Sequence, residues 1–250
     1  MGENMEVVFL GTNGWYDTET GNTISILVKG KNYHVILDAG NGIYKVDRYI
    51  KGDKPVYLFL SHFHLDHIEG LHILNKFRFQ QGLRIYGQKG TRKILETIVN
   101  KPYTCPIGEL PFSVEIHELL EGPHKVPFPL ECRYLLHASP CLGYRMELDG
   151  KILAYCPDTG ICENAVKLAK DADLLMAECS LRPGESNPQW PHLNPEDAAE
   201  IARQANAKRL VLVHFDANRY RTVQERLEAL RTIFGVENSV AALDDMVLEL

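Results

Sequence analysis

The sequence predicts an α/β fold: a sandwich of two mixed β-sheets with helices on the outer faces, spanning residues 1–250 as a single domain. Three observations lead there. Strands dominate early in each half of the chain, and helices follow. Several short apolar runs stop abruptly at a His or an Asp, as strands do where they meet a loop. No stretch rich in Gly, Pro or Ser separates two domains.

The elements follow in order. Met5 to Leu10 is a strand closed by the turn-forming string Gly11-Thr12-Asn13-Gly14. Thr23–Val28 and His34–Leu37 are apolar runs joined by Lys29-Gly30-Lys31-Asn32, a hairpin pattern. The second run ends in Asp38-Ala39-Gly40-Asn41-Gly42. Pro55 to Leu60 is a buried strand, and Ile68, Leu71, Ile73, Leu74 and Phe77 then recur with helical spacing. Leu83–Tyr86 is a strand and Gly90–Val99 a helix. Pro123 to Pro129 reads as a loop. Strands are expected near 113–119, 131–137, 142–148 and 151–156, with Asp149-Gly150 as a tight turn between the last two. Ala165–Lys170 is helical and Leu174–Ala177 a strand. A helix over Pro195–Asn206 carries Asn194 as cap, Pro195 in first position, and Glu196 and Asp197 against the dipole. Leu210–Val213 is a buried strand ending in His214, Val223–Phe234 is a helix, and a short strand pair ends the chain.

Hydrophobic content of 45% and charged content of 24% describe an ordinary globular protein. No run approaches the ~18 apolar residues of a membrane helix, so no membrane partner is expected. The N-terminus, Met1-Gly2-Glu3-Asn4-Met5-Glu6, lacks the basic and apolar regions of a signal peptide, which makes the cytoplasm the expected location. The six cysteines form no C-x-x-C pair, and they are expected to be reduced and mostly buried. A net charge of −6 argues against a large nucleic-acid footprint. Lys76, Arg78, Arg84, Lys89, Arg92 and Lys93 nevertheless form an acid-free basic stretch between Leu71 and Leu95. Such a stretch suits an anionic substrate or a nucleic-acid backbone, but the solvated faces of a helix and a strand look the same and are the favoured reading.

The chemistry is concentrated in Ser61-His62-Phe63-His64-Leu65-Asp66-His67, an H-x-H-x-D-H run directly after an apolar strand. Imidazole nitrogens and a carboxylate suit zinc and its first-row neighbours. Burying so many polar groups together without a metal would be costly. Three further candidates stand at strand ends in the same way: His137, Asp158 and His214.

With this order of ligands the chain resembles the metallo-β-lactamase superfamily. The Gly11–Gly14 turn and Leu37-Asp38-Ala39-Gly40 add to the likeness. The resemblance implies that His62, His64 and His137 hold one metal, that Asp66, His67 and His214 hold the other, and that Asp158 bridges them. His64 stands where a Glu would mark the diiron flavoprotein pattern, so two zinc ions are expected, with manganese or iron accepted by the same donors.

Within the superfamily the chain is most similar to ribonuclease Z and related phosphodiesterases. The residues that carry this are His137-Ala138-Ser139-Pro140, Gly143-Tyr144-Arg145, Pro157-Asp158-Thr159-Gly160, Ala177-Glu178-Cys179-Ser180, His192 before a capped helix, and His214-Phe215 with Arg219-Tyr220. The likeness assigns His192 to phosphodiester cleavage beside the metals, and relatives are commonly homodimers.

Three departures stand out. Twenty-one positions separate His137 from Asp158, which leaves no room for the tRNA-gripping arm that most members insert there. The spacing from His214 to Arg219-Tyr220 is one residue longer than usual. The acid that would support His192 is missing from its usual place in His192-Leu193-Asn194-Pro195.

These readings converge on a dinuclear hydrolase acting on a small or short phosphodiester, a cyclic nucleotide or nucleotide fragment, through a metal-bridging hydroxide. Asp66 and His192 are the catalytic candidates; Ser61 and Ser139 are loop residues bonded to backbone near the ligands. Nucleic acid is a less favoured substrate. The alternatives are a ribonuclease Z-type tRNA 3′-end endonuclease and a lactonase or thioesterase with the same ligands. A structural zinc protein would need a closed coordination shell, which a bridged His/Asp pair does not favour.

Overall fold

Short apolar runs punctuated by Gly, Asp and Asn turns become two seven-stranded mixed sheets with helices, an α/β fold. The computed structural model describes residues 5–50, 54–233 and 238–250. The chain divides into two units, the first comprising Met1–Gly11, Asn22–Leu120 and Asp244–Leu250, the second Thr12–Gly21 and Glu121–Leu243.

In the first unit the strand order is Val247–Glu249, Glu6–Gly11, Ser25–Lys29, His34–Leu37, Val56–Phe59, Leu83–Gln88, Val114–Leu119. The first four strands pair antiparallel and the last four parallel. Val56–Phe59 is central and buried on both faces, as its unbroken apolar run requires. Leu58 and Ile36 belong to a core cluster with Ile43, Leu71 and Leu74 from the flanking helices. Truncating a side chain like Leu58 to Ala costs ~2–5 kcal/mol.

The segment after the histidine run is not the expected α-helix. A single α turn, Leu65–Ile68, passes into a 3-10 helix over Glu69–Lys76. The reason is a close crossing. Gly70 donates to the Ala39 carbonyl at 2.9 Å. A Cβ on Gly70 would lie 2.3 Å from the Gly40 carbonyl oxygen. Tethering to that loop replaces a regular helical ladder.

In the second unit the order is Ser239–Ala241, Leu210–Val213, Leu174–Glu178, Lys151–Cys156, Leu142–Leu148, Pro129–Tyr134, Gly122–Lys125. Here the first four strands are parallel and the last four antiparallel. The Asp149-Gly150 turn has both residues at positive φ, the primed geometry of a two-residue hairpin. The helix Pro195–Gln204 is capped as expected, with Asn194 Oδ1 accepting from the Asp197 N–H at 2.7 Å. Its buried face of Ala198, Ala199, Ile201 and Ala202 is mostly alanine. It stops two residues short of the expected end, and Asn206 follows at φ 54°.

Other expectations need correction. The Pro123–Pro129 segment is a loop only over residues 126–128, between two strands. Gly122–Lys125 is the edge strand, where a proline is tolerated because one side of an edge strand needs no ladder bond. The strand expected to reach His137 ends at Tyr134. The two C-terminal strands do not pair with each other; Ser239–Ala241 and Val247–Glu249 lie in different sheets. The last helix is α over Val223–Ala229 and 3-10 over Leu230–Thr232, and its expected end at Phe234 lies outside the described residues, as do Met1–Asn4. Among the described residues no helix is long and apolar enough to cross a membrane.

Candidate metal centre

Strand Val56–Phe59 delivers the chain to Ser61 and His62, and the α turn Leu65–Ile68 brings Asp66 and His67 back beside it. The four candidate ligands of this run lie close together. The His62 ring centroid lies 4.1 Å from that of His67 and 4.5 Å from that of His64. Asp66 Oδ2 is 3.8 Å from His67 Nε2. His62 and His67 are buried, Asp66 is partly buried and His64 is exposed.

Behind them sits Asp38, held at φ 56° just past the neighbouring strand His34–Leu37. Its Oδ1 accepts from the Ser61 N–H at 2.7 Å. Its Oδ2 accepts from the Ser61 hydroxyl and faces His67 Nδ1, both at 2.8 Å. The Ser61 hydroxyl has one proton, spent on the carboxylate, so it must accept from His62 Nδ1 at 3.0 Å. Both rings therefore carry their proton on Nδ1 and offer an Nε2 lone pair, the arrangement that prepares an imidazole for a metal. Ser61 was expected to bond backbone; it bridges two side chains instead.

In the second unit His137 follows strand Pro129–Tyr134, and Asp158 follows strand Lys151–Cys156. His214 lies between Leu210–Val213 and the two-residue strand Phe215–Asp216, at φ 52°. The three expected ligands meet. Asp158 Oδ1 lies 3.3 Å from His214 Nε2, and Asp158 Oδ2 lies 3.8 Å from His137 Nε2. One carboxylate thus turns an oxygen to each imidazole. The Ser180 hydroxyl donates to the His214 carbonyl at 3.1 Å and so accepts from His214 Nδ1 at 3.1 Å, again leaving Nε2 as the donor atom. Gly14 backs this ring: a Cβ there would lie 2.5 Å from His214 Cε1.

His192 belongs to the same cluster. Its ring stacks parallel to His214 at 6.4 Å and meets His137 edge-on at 5.2 Å. Its Nδ1 lies 2.5 Å from Glu178 Oε1. Glu178 is fully buried at the end of strand Leu174–Glu178 and accepts from the Thr159 and Ser180 N–H groups at 2.8 and 3.0 Å. This is the acid that seemed absent. It comes from the strand before His192, not from the helix entry after it.

Arg219 and Tyr220 have other work. Arg219 pairs with Glu185 at 3.0 Å and Asp216 at 3.1 Å, and its guanidinium lies 5.0 Å from the Trp190 ring centre. A backbone hydrogen bond at Arg182 and the Arg219 charge hold the Glu185 carboxyl below its usual range despite partial burial. Trp190 packs in turn on His192 with ring centroids 4.0 Å apart. Tyr220 is buried and donates to the Leu181 carbonyl at 2.7 Å.

Cys156, beside Asp158, is a buried strand residue whose thiol is pushed far up by burial, which leaves it protonated and inert. In the basic stretch, Lys76 pairs with Asp47, Arg84 lies 3.6 Å from Glu115, and Arg92 donates to the Ile116 carbonyl at 2.7 Å. Much of that charge is spent locally.

Residues 33–215 match the family described as Beta-lactamase superfamily domain. Ribonuclease Z of Bacillus licheniformis is 28% identical over 305 aligned positions, covering 96% of this chain and 97% of that protein. The probable metallo-hydrolase YhfI of Bacillus subtilis is 26% identical over 248 positions, covering 95% and 97%. Its crystal structure, described as that of a metallo-beta-lactamase fold protein, superposes with a TM-score of 0.79 at 23% identity over 99% of this chain and 100% of that one. The short form of human tRNase Z superposes equally well, with a TM-score of 0.79 at 24% identity over 98% of each chain.

Proposed function

Because this chain belongs to the beta-lactamase superfamily and is a metal-dependent hydrolase, we propose that it cleaves a small or short phosphodiester with two divalent ions, zinc in the first instance. This reading takes residues 1–250 as a single domain. By the family's pattern His62, His64 and His137 would hold one ion, Asp66, His67 and His214 the other, and Asp158 would serve both. The observation that carries the reading is Asp158, whose two oxygens face His214 and His137, one ligand from each group. The donor chemistry supports it. Three imidazoles have Nε2 cleared for a metal by Asp38, Ser61 and Ser180.

Ions bound there supply Lewis acidity and a hydroxide nucleophile near neutral pH. The chain's own residues do the rest. Asp38 and Ser61 orient His62 and His67, and Ser180 and Gly14 orient His214. Asp66, partly exposed beside His67, is placed to orient the attacking water. His192 keeps one proton on Nδ1 toward Glu178 and carries a second on Nε2, which it gives to the departing alkoxide. The buried Glu178 charge stabilises the imidazolium needed for that transfer.

Two facts favour a small substrate. The alignment with B. licheniformis ribonuclease Z runs over 305 positions, more than the 250 residues of this chain, so that enzyme has stretches with no counterpart here. The alignment with YhfI runs over 248. The interval from His137 to Asp158 holds only the hairpin Leu142–Leu148 and Lys151–Cys156. A tRNA 3′-end endonuclease is the second reading, favoured by 28% identity to ribonuclease Z across nearly the whole chain. We place the enzyme in the cytoplasm, a reducing compartment that suits buried cysteines such as Cys156 and Cys179, which form no disulfide.

The test is hydrolysis of bis-p-nitrophenyl phosphate together with metal analysis. About two metals per chain are expected, with activity abolished by chelation and by His64→Ala. Absence of stoichiometric metal, or turnover of lactones or thioesters alone, refutes the proposal. Maturation of a precursor tRNA would favour the second reading.

A further inference from the structure

The loop after Gly14 exposes two large aromatic side chains beside a candidate ligand. Trp15 is 65% exposed and Tyr16 40%, their rings edge-to-face at 5.2 Å. A Cβ on Gly14 would touch the His214 ring, so the Cα of Trp15 lies within roughly 8 Å of that ring. Trp15 is also held at φ 74°, a region that a bulky residue enters only when its surroundings compel it.

The surroundings do compel it. Asn13 Nδ2 donates toward the Tyr16 carbonyl, the Thr18 hydroxyl and the Gly21 carbonyl at 3.1, 3.0 and 2.9 Å. The fully buried Arg226 donates to Thr12 and Thr20 at 2.9 and 2.8 Å, and also to Asn13 Oδ1. One guanidinium thus pins both ends of the loop. The backbone that carries the indole is thereby held in place. Asp17 and Glu19, both exposed, share the loop. Their carboxylates repel a second phosphate and accept from N–H donors. A flat, neutral ring with N–H groups fits both features.

We propose that Trp15 is the stacking platform for the nucleobase of a mononucleotide-type phosphodiester, which rests on the phosphodiesterase reading above. The aromatic face binds the base, the acids accept from its amino edge, and the loop excludes the next phosphate of a longer nucleic acid.

The chain has two tryptophans, Trp15 and Trp190, so Trp190→Phe leaves Trp15 as the sole indole reporter. In that metal-loaded variant AMP should quench the fluorescence saturably and ribose 5-phosphate should not. In the metal-loaded enzyme, Trp15→Leu should raise KM for adenosine 2′,3′-cyclic phosphate about tenfold, in the range of one stacked base, and leave glycerol 1,2-cyclic phosphate unaffected. Trp15→Phe should restore most of the loss. No quenching by AMP, quenching by phosphocholine in its place, equal losses on both substrates, or a changed oligomeric state with neither substrate affected would each overturn the proposal. Quenching by AMP in an enzyme that cleaves no phosphodiester would sink the phosphodiesterase reading and leave the base platform standing.

Discussion

Replacing Glu178 by Gln keeps the side-chain shape and removes one buried charge. Three donors converge on this group: His192 Nδ1 at 2.5 Å and the Thr159 N–H at 2.8 Å on Oε1, and the Ser180 N–H at 3.0 Å on Oε2. Glutamine offers one acceptor atom and an NH2, so at least one donor must meet another. With the amide nitrogen toward Ser180, one buried N–H loses its partner at a cost of about 1–3 kcal/mol. That lowers Tm by ~2–4 °C per kcal/mol in a chain of this size. With the amide nitrogen toward His192 and Thr159, the Thr159 N–H loses its partner instead and His192 Nδ1 must accept, so the ring cannot hold both the protons that delivery from Nε2 requires. Either way the charge that stabilises the imidazolium is gone. Proton delivery contributes ~10²–10⁴ in rate, so kcat should fall by about 10²–10³, or ~2.7–4 kcal/mol of barrier. The assay is kcat on bis-p-nitrophenyl phosphate at a temperature where both proteins are folded, with metal content measured on the same samples. His192→Ala should lower kcat comparably and keep both metals. The double variant should be little worse than His192→Ala alone, because Glu178 acts through that ring. Additive losses in the double variant, or a loss that tracks departing metal, would refute this account.

Three further outcomes are expected. Asp38→Asn should weaken metal binding about 10- to 100-fold, because it releases the Nδ1 bond that aims His67; competition with a chelator measures it. Gly14→Ala should displace the His214 ring, which its Cβ would meet at 2.5 Å, and metal analysis should show partial loss while the circular dichroism spectrum stays unchanged. Asp173, despite partial burial, is held below the usual carboxylate range by Lys208 and by the Ile152 N–H. A lowered folded pKa contributes stability above the unfolded value near 4 that is lost as pH falls through the folded one. Urea midpoints of wild type and Asp173→Asn should therefore differ most near neutral pH and converge toward pH 3.

The places of the candidate ligands were legible because each depends on local chain geometry. A buried strand followed by a tight turn presents His62, and one α turn suffices to return Asp66 and His67 beside it. Asp158 and His214 likewise follow apolar strands that announce themselves by composition. The cap of helix Pro195–Gln204 was legible for the same reason, since Asn194 reaches only to Asp197. The 3-10 helix at Glu69–Lys76 was not. Its spacing is helical, and the deviation comes from Gly70 crossing a loop some thirty positions earlier. The edge strand at Gly122–Lys125 was hidden because Pro123, with Pro127 and Pro129 after it, resembles a loop until a partner strand is known.

By itself, then, the order of residues determined the donor chemistry of the candidate ligands and their seats at strand ends, because a donor's element type and a strand's apolar run are properties of adjacent positions. Tertiary structure alone decided how those donors are tuned. Asp38 reaches His67 across 29 positions, Glu178 reaches His192 across 14, and Ser180 reaches His214 across 34. A carboxylate's hydrogen-bonding partner follows from which strands lie side by side, and strand adjacency is settled by packing of the whole sheet.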